Sequence, residues 1–315
     1  MDTTVLITGA NGFVGKNLVA ALAEDPDISV VATDLHHALI PLDGVTLPQV
    51  DYVPGDLCSR TTISFLEDNY RFTTIIHLAA VIAQSDSRDA NMTLMSSNTG
   101  STQRLLELAS AHGARMMISS TALIYGDAAA PFTEDMPPMP GSFYALSKVL
   151  CEETVRFYHR KFALPYLIFR IGVFYGLGQS PSGGMFIPSV IDHLLDGKEF
   201  AMTAGEQLRD FVYIGDFVDL VRAAIKTPAV SGVFNVGSGD KKTMREVAAL
   251  VEWLTNTNGL LRTGALPYRT DEVWNYSLDI SRTQRAFGWE PATTLENGLL
   301  QTIEYQKRVK AKLCC

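Results

Sequence analysis

Long apolar runs are missing from this sequence: nowhere do its 315 residues approach the ~18 consecutive apolar positions that a membrane-crossing helix needs. The opening MDTTVLITGA carries no basic cluster ahead of its short apolar run, so that run is expected to form a strand, not a secretion signal. Cysteine is scarce too. Cys58, Cys151, Cys314 and Cys315 have neither metal-ligand nor disulfide-scaffold spacing. Reduced thiols, no bound metal and a cytoplasmic location are the expectation. Positive charge is in the minority, with 26 Lys and Arg against 34 Asp and Glu and a net charge of −8. That balance excludes a broad nucleic-acid or anionic-membrane surface. A phosphorylated ligand would have to be held by individual arginines and helix N-termini.

What is present is the composition of an ordinary globular protein, 47% hydrophobic and 19% charged, long enough for one large or two modest domains. The first half alternates short β-branched runs with helical patterns. Strands are expected at 4–8, 29–34, 50–53, 74–78, 115–119 and 166–169, with helices starting near Gly12, Arg60, Met92 and Phe143. Residues 99–112 have leucines and alanines at helical spacing and stop at Gly113, a residue suited to a helix C-terminus. Several strands are almost wholly apolar, as when helices cover both faces of a parallel sheet. The expected fold is α/β, a doubly wound parallel sheet. Beyond Arg170 the pattern loosens through GLGQSPSGGMFIP, then resumes with a helix at 188–196, a helix-bearing unit at 212–225, a strand at 233–236 and helices at 244–254 and 295–310. The expected organisation is a nucleotide-binding domain (1–172 with 211–238) interleaved with a smaller substrate domain (173–210 with 239–315).

The strongest local signal is VLITGANGFVGKNLVAAL, a strand followed by Gly9, Gly12 and Gly15, with Phe13 and Val14 between the last two as further cofactor contacts, and then an apolar-periodic helix. Glycines here permit a tight turn, let backbone approach a pyrophosphate, and allow close packing of helix on sheet. The helix N-terminus adds free N–H groups and the positive end of a dipole. The next strand ends at Asp34, where a carboxylate can accept bonds from the adenosine ribose. A carboxylate repels a 2′-phosphate, and no arginine follows in Leu35-His36-His37, so NAD is expected over NADP.

Two further segments supply chemistry. Ser119-Ser120-Thr121 falls at the C-terminal end of the fifth strand, where open α/β sheets place ligands. Tyr144-Ala145-Leu146-Ser147-Lys148 puts Tyr144 and Lys148 on one face of a helix. A free phenol titrates near ~10, so a phenol serving as base near neutrality needs about 4 kcal/mol of differential stabilisation. A lysine ammonium one turn away and a positive nicotinamide ring have the required sign. Thr121 can bond the reacting hydroxyl and relay its proton.

At these residues the chain resembles the extended short-chain dehydrogenase/reductases, specifically the NAD-dependent epimerase/dehydratase family of nucleotide-sugar enzymes. The similarity also runs through Gly55-Asp56-Leu57, His77-Leu78-Ala79-Ala80, Asn98-Thr99-Gly100, Arg209-Asp210-Phe211-Val212-Tyr213, Phe234-Asn235-Val236-Gly237-Ser238-Gly239 and Gly288-Trp289-Glu290-Pro291. The resemblance implies NAD contacts from the glycine turn, Asp34, Asp56, Leu57, Leu78, Ala79, Ala80 and Asn98, with Tyr144 and Lys148 also touching the cofactor. It implies Thr121, Tyr144 and Lys148 as the catalytic trio, and Arg209 and Arg269 as clamps on a sugar nucleotide's diphosphate, with Thr121 and Tyr144 at the sugar. It further implies a homodimer paired through helices around 92–112 and 143–161.

Two departures bear on the reaction. Sugar 4,6-dehydratases usually carry Asp-Glu after the catalytic Thr, the acid–base pair for water elimination, and related decarboxylases usually have a glutamate in this stretch. Here Ala122 and Leu123 follow, and neither transfers protons. Many relatives also have an asparagine where this chain has Val173, which has no donor for the substrate. The leading expectation is a nucleotide-sugar 4-epimerase, in which Tyr144, aided by Lys148 and Thr121, deprotonates the C4 hydroxyl while C4 hydride passes to NAD⁺ and returns to the other face. The rivals are a dehydratase with an unusual acid or base, a non-sugar NAD(P) alcohol dehydrogenase or reductase without need of the arginines, and a nucleotide-sensing protein that would not need the Tyr/Lys pair.

Overall fold

A computed structural model describes residues 3–48, 50–82, 87–181, 185–269 and 272–313; Cys314 and Cys315 lie outside them. The chain divides into two compact, interleaved units. The first comprises Met1–Gly126, Glu134–Ile171 and Leu220–Phe234, and the second Asp127–Thr133, Gly172–Asp219 and Asn235–Cys315.

In the first unit, apolar strands alternate with amphipathic helices: β1 (Thr3–Thr8), α1 (Phe13–Ala23), β2 (Ile28–Asp34), β3 (Asp51–Pro54), α2 (Arg60–Asn69), β4 (Thr74–His77), α3 (Arg88–His112), β5 (Arg115–Thr121), α4 (Phe143–Phe162) and β6 (Tyr166–Ile171). A strand buried on both faces is mostly apolar, and β4 (TIIH) is buried at all four positions, with isoleucines at its centre and Thr74 and His77 at its ends. These strands and β10 (Gly232–Val236) form one seven-stranded sheet in the order β10-β6-β5-β4-β1-β2-β3. It is a Rossmann fold, as expected. Order turns around at β1–β4, since β1 has β2 on one side and β4 on the other, both parallel to it. Ligands of open α/β sheets bind beyond strand ends at such a reversal.

Local chemistry sets where the helices begin and end. Ser87 caps α3 by accepting the Ala90 N–H, and Gly113 stops it at φ 65. That helix starts at Arg88, four residues before the expected start near Met92, because its first turn carries polar side chains and shows no apolar stripe. The fifth strand runs two residues past its expected end, so Thr121 is still paired, opposite Ile171. The fourth ends one residue early, for the Leu78 N–H leaves the sheet ladder and donates to Thr8 Oγ1.

The second unit contains β7 (Val173–Tyr175), α5 (Phe186–Leu195), β8 (Phe200–Ala201), β9 (Leu208–Tyr213), β11 (Lys241–Thr243), α7 (Met244–Leu254), β12 (Leu261–Arg262), β13 (Asn275–Tyr276), α8 (Ser281–Phe287) and α9 (Leu295–Leu313), while α6 (Ile214–Lys226) spans the division. The central strand here is β9, flanked by β7, β11 and β13. It is absent from the expectation because the adjacent Arg209 and Asp210 break the apolar alternation. A capping box closes the start of α7, Thr243 and Glu246 each bonding the other's backbone N–H. Among the described residues no helix is long and apolar enough to cross a membrane.

Candidate active site

The glycine turn is as tight as backbone allows. Gly9 takes φ +69, and a Cβ there would lie 2.7 Å from the Ala79 nitrogen. A Cβ on Gly15 would lie 2.1 Å from the Gly9 carbonyl oxygen. Helix α1 then starts at Phe13 with Gly12 as N-cap, without a side-chain cap and without an acidic residue in its first turn. A glycine-lined approach to bare N–H groups at a helix N-terminus suits a pyrophosphate. At the end of β2, Asp34 accepts the Asn11 N–H on Oδ2 at 2.9 Å and the Leu35 N–H on Oδ1 at 2.7 Å. Its carboxylate is thereby fixed, with lone pairs left for a ribose diol. These features together fit NAD. Beside them Asp56 is exposed, Leu57 is buried, and Ala80 is exposed at the end of the His77-Leu78-Ala79-Ala80 run.

Two polar side chains not singled out in the sequence hold this edge. Thr8 Oγ1 accepts both the Leu78 and Ala79 N–H groups at 3.2 Å, so its own hydrogen goes to His77 Nδ1 at 2.8 Å. His77 is therefore neutral, with its hydrogen on Nε2. Burial, and then the positive charge of Lys148, push its imidazole down to about 3.

Asn98 on α3 grips the neighbouring loop, accepting the Val81 N–H at 2.7 Å and donating to the Val81 carbonyl at 3.1 Å and Ser147 Oγ at 3.0 Å. Ser147 donates in turn to the Tyr144 carbonyl at 2.7 Å. Tyr144 is half-buried, and Lys148 Nζ stands 5.9 Å from its ring centroid while donating to the Ser119 carbonyl at 2.8 Å. Thr121, 8% exposed, caps the short 3-10 turn Ala122–Tyr125 by accepting the Leu123 N–H at 3.2 Å. In that turn Ala122 is wholly buried and Leu123 is 43% exposed. The first unit thus carries the glycine turn, Asp34, Asn98, Thr121, Tyr144 and Lys148 on the C-terminal ends of its strands and on the helices that follow them.

Arg209, Arg269 and Val173 belong to the second unit. The Arg209 guanidinium pairs with Glu272, donates to the carbonyls of Leu208 at 2.9 Å and Val273 at 2.6 Å, and lies 5.9 Å over the Tyr276 ring. Glu272 had no signal in the sequence, since its partner lies 63 residues away. Arg269 is exposed, and Val173 is half-buried in β7 opposite Phe211. Among the described residues no cluster of His, Cys, Asp and Glu could hold a metal.

A Tyr–Lys pair, a threonine at a strand end and a glycine turn on an open parallel sheet describe a dinucleotide-dependent enzyme. The model of the NAD dependent epimerase/dehydratase family matches residues 5–237, and the chain belongs to that family. It is 30% identical to the UDP-glucose 4-epimerase of Mycolicibacterium smegmatis, over 95% of this chain and 97% of the relative. It is 28% identical to the dTDP-glucose 4,6-dehydratase of Neisseria gonorrhoeae, over 96% of this chain and 94% of the relative. The UDP-glucose 4-epimerase of Thermus thermophilus, solved as a complex with NAD, superimposes with a TM-score of 0.86 at 25% identity, covering 97% of this chain and 99% of that one. NAD is the cofactor. Solved relatives hold nucleotide sugars such as UDP-glucose.

Proposed function

We propose that this enzyme is a nucleotide-sugar 4-epimerase working through a transient 4-keto sugar. Identity does not separate this reading from a dehydratase, because relatives of both activities align at similar levels. The observation that carries it is the pair of residues after Thr121. Ala122 is wholly buried and Leu123 half-exposed, and neither of these two residues after the catalytic threonine has a group able to move a proton to or from a sugar carbon. Tyr144 and Lys148 remain, and they serve a reaction at one hydroxyl only.

Tyr144 takes the proton of the C4 hydroxyl. Lys148, held by the Ser119 carbonyl, keeps positive charge beside the phenolate, and Thr121 orients the hydroxyl. NAD, held by the glycine turn and Asp34, would supply the acceptor and donor for the C4 hydride. The ketone then presents its other face, and Tyr144 gives its proton back to the oxygen. The first unit binds NAD through Gly9, Gly12, Phe13, Val14, Gly15, Asp34, Asp56, Leu57, Leu78, Ala79, Ala80 and Asn98. In the second, Arg209 and Arg269 hold the diphosphate, a role suited to a planar guanidinium. Two copies pair through α3 and α4. An apolar stripe on the outer face of α4 (Phe143, Leu146, Leu150 and Phe157) supports that pairing.

Turnover of the accepted sugar nucleotide in D₂O, with the product read by NMR and mass, tests the reaction. A C4-inverted product without carbon-bound deuterium is expected. Deuterium at C5, or a product lighter by the elements of water, would replace the epimerase with a dehydratase.

A further inference from the structure

A buried polar cluster stands directly behind the proposed catalytic residues. Glu152 lies on α4, one turn beyond Lys148 and two beyond Tyr144, and its side chain is 3% exposed. Arg170, 1% exposed, approaches it from β6, with Nη2 donating to Oε2 at 2.8 Å and Nε to Oε1 at 3.1 Å. Ser120 Oγ, on β5 immediately before Thr121, donates to Glu152 Oε1 at 2.6 Å. The third Arg170 nitrogen, Nη1, donates to Tyr125 Oη at 3.1 Å and to the Glu134 carbonyl at 3.0 Å. Arg156 reaches Oε2 from the solvent side at 3.3 Å.

One carboxylate thus joins the three elements on which the reaction would depend: the strand end carrying Thr121, the helix carrying Tyr144 and Lys148, and the strand beside them. Apolar contact alone would let α4 slide or turn on the sheet, because dispersion and burial are not directional. A bidentate guanidinium–carboxylate fork, and a short bond from the residue next to Thr121, fix both the rotation and the axial position of the helix. The burial of the pair is costly, and breaking it leaves an unpaired charge in the core. Such a device is weak evidence of stability and stronger evidence of required geometry.

We propose that Glu152 is a positioning residue for the hydride-transfer chemistry: through Ser120 and Arg170 it holds the Tyr144–Lys148 face of α4 in register with Thr121. The proposal rests on the assignment of Thr121, Tyr144 and Lys148 as the reacting trio. It involves no contact of Glu152 with substrate or cofactor. A slightly displaced base still lets NAD and sugar nucleotide bind, but spoils the alignment of the hydroxyl, base and hydride. Misplacement on the order of 1 Å costs up to about 100-fold in rate.

Ser120→Ala is the decisive variant, since it cuts the strand-to-helix bond and leaves the Glu152–Arg170 pair intact. The expected result is a kcat lowered by about 10- to 100-fold, with KM for the sugar nucleotide and Kd for NAD within about twofold of wild type. Glu152→Gln keeps the shape and weakens the fork, and it should lower kcat in the same selective way. With a C4-deuterated substrate, both variants should show a larger isotope effect than wild type, as hydride transfer becomes limiting. A merely structural role would instead lower Tm and the active fraction, reducing apparent kcat in proportion while the isotope effect of the folded molecules stays at the wild-type value. If Glu152→Gln fails to fold, Ser120→Ala still decides. Wild-type kcat in Ser120→Ala, with Tyr144→Phe inactive, would overturn the positioning role alone. Activity retained in Tyr144→Phe would overturn the trio and this proposal with it.

Discussion

A methyl group at position 15 has no room. Its Cβ would sit 2.1 Å from the Gly9 oxygen and 2.8 Å from Ala10 Cα, and both are backbone atoms that cannot swing aside. Gly15→Ala must push α1 away from the turn, and overpacking of this kind costs about 1–3 kcal/mol. The expected outcome is a Tm lower by several degrees and NAD affinity reduced at least about tenfold, since the helix N-terminus moves off the pyrophosphate. Gly113→Ala is the matching control. It has positive φ, 65, unlike Gly15, but a Cβ there meets nothing within 4 Å, so only about 1–2 kcal/mol of backbone strain is expected and NAD binding should be kept. Calorimetry and fluorescence titration of both variants check the pair, and equal NAD loss in the two would refute the steric account. The glycine turn and Asp34 were legible in the sequence because their physical reasons are local. Thr8, Ser120 and Glu152 were not, because a buried serine or glutamate acquires its role only from a partner on another element. Ser120 and Glu152 meet across 32 residues, and Thr8 and His77 across 69.

At the scale of elements the same division holds. Strongly periodic segments such as α7 and the apolar strands can be read from pattern, whereas β9 and α8 need their neighbours. The order of the sheet, with β4 and not β3 beside β1, appears nowhere in the pattern of any one strand. One link between those neighbours carries a pH dependence. The Thr8–His77 bond ties the ends of β1 and β4, and it needs an unprotonated Nδ1. A histidine titrates near 6.5 when unfolded, and burial holds this one at about 3 in the fold. Below pH 6.5 the unfolded chain therefore binds a proton that the folded chain refuses. The stability contributed by the neutral ring is complete above pH 6.5 and is lost progressively as pH falls toward 3. The expected slope is about 1.4 kcal/mol per pH unit. Urea unfolding at pH 6.5 and pH 5 should show this loss in the wild type. In His77→Leu it should be smaller, with lower stability at neutral pH from the lost acceptor. An identical acid loss in the two proteins would show that His77 is charged in the fold or not linked to it.

At the scale of the whole molecule, the proposed pairing of two copies can be judged from what α4 does with its two faces. The inner face is committed: Ala145, Ser147, Lys148, Cys151, Glu152 and Val155 are buried within the first unit. The outer face carries Phe143 at 51% and Phe157 at 52% exposure, with Leu146 and Leu150 between them. Their spacing puts them on one face of the helix, an apolar stripe interrupted between Leu150 and Phe157 by Glu153 and Thr154. A second copy related by a two-fold axis would set this stripe against itself, an isologous contact that closes after two chains. The charge nearest the stripe, the exposed Glu153 between Leu150 and Phe157, is paired with Arg156 at 2.6 Å, and the net −8 spread over each chain is screened beyond ~8 Å at physiological salt. Light scattering at micromolar concentration should therefore give twice the 34.5 kDa chain mass. Phe157→Glu places two like charges in the proposed contact and should yield the monomer. NAD binding should survive in that monomer, because the glycine turn, Asp34 and Asn98 are all parts of a single first unit. A wild type that scatters as a monomer, or a Phe157→Glu variant that remains dimeric, would remove the α4 face from the interface.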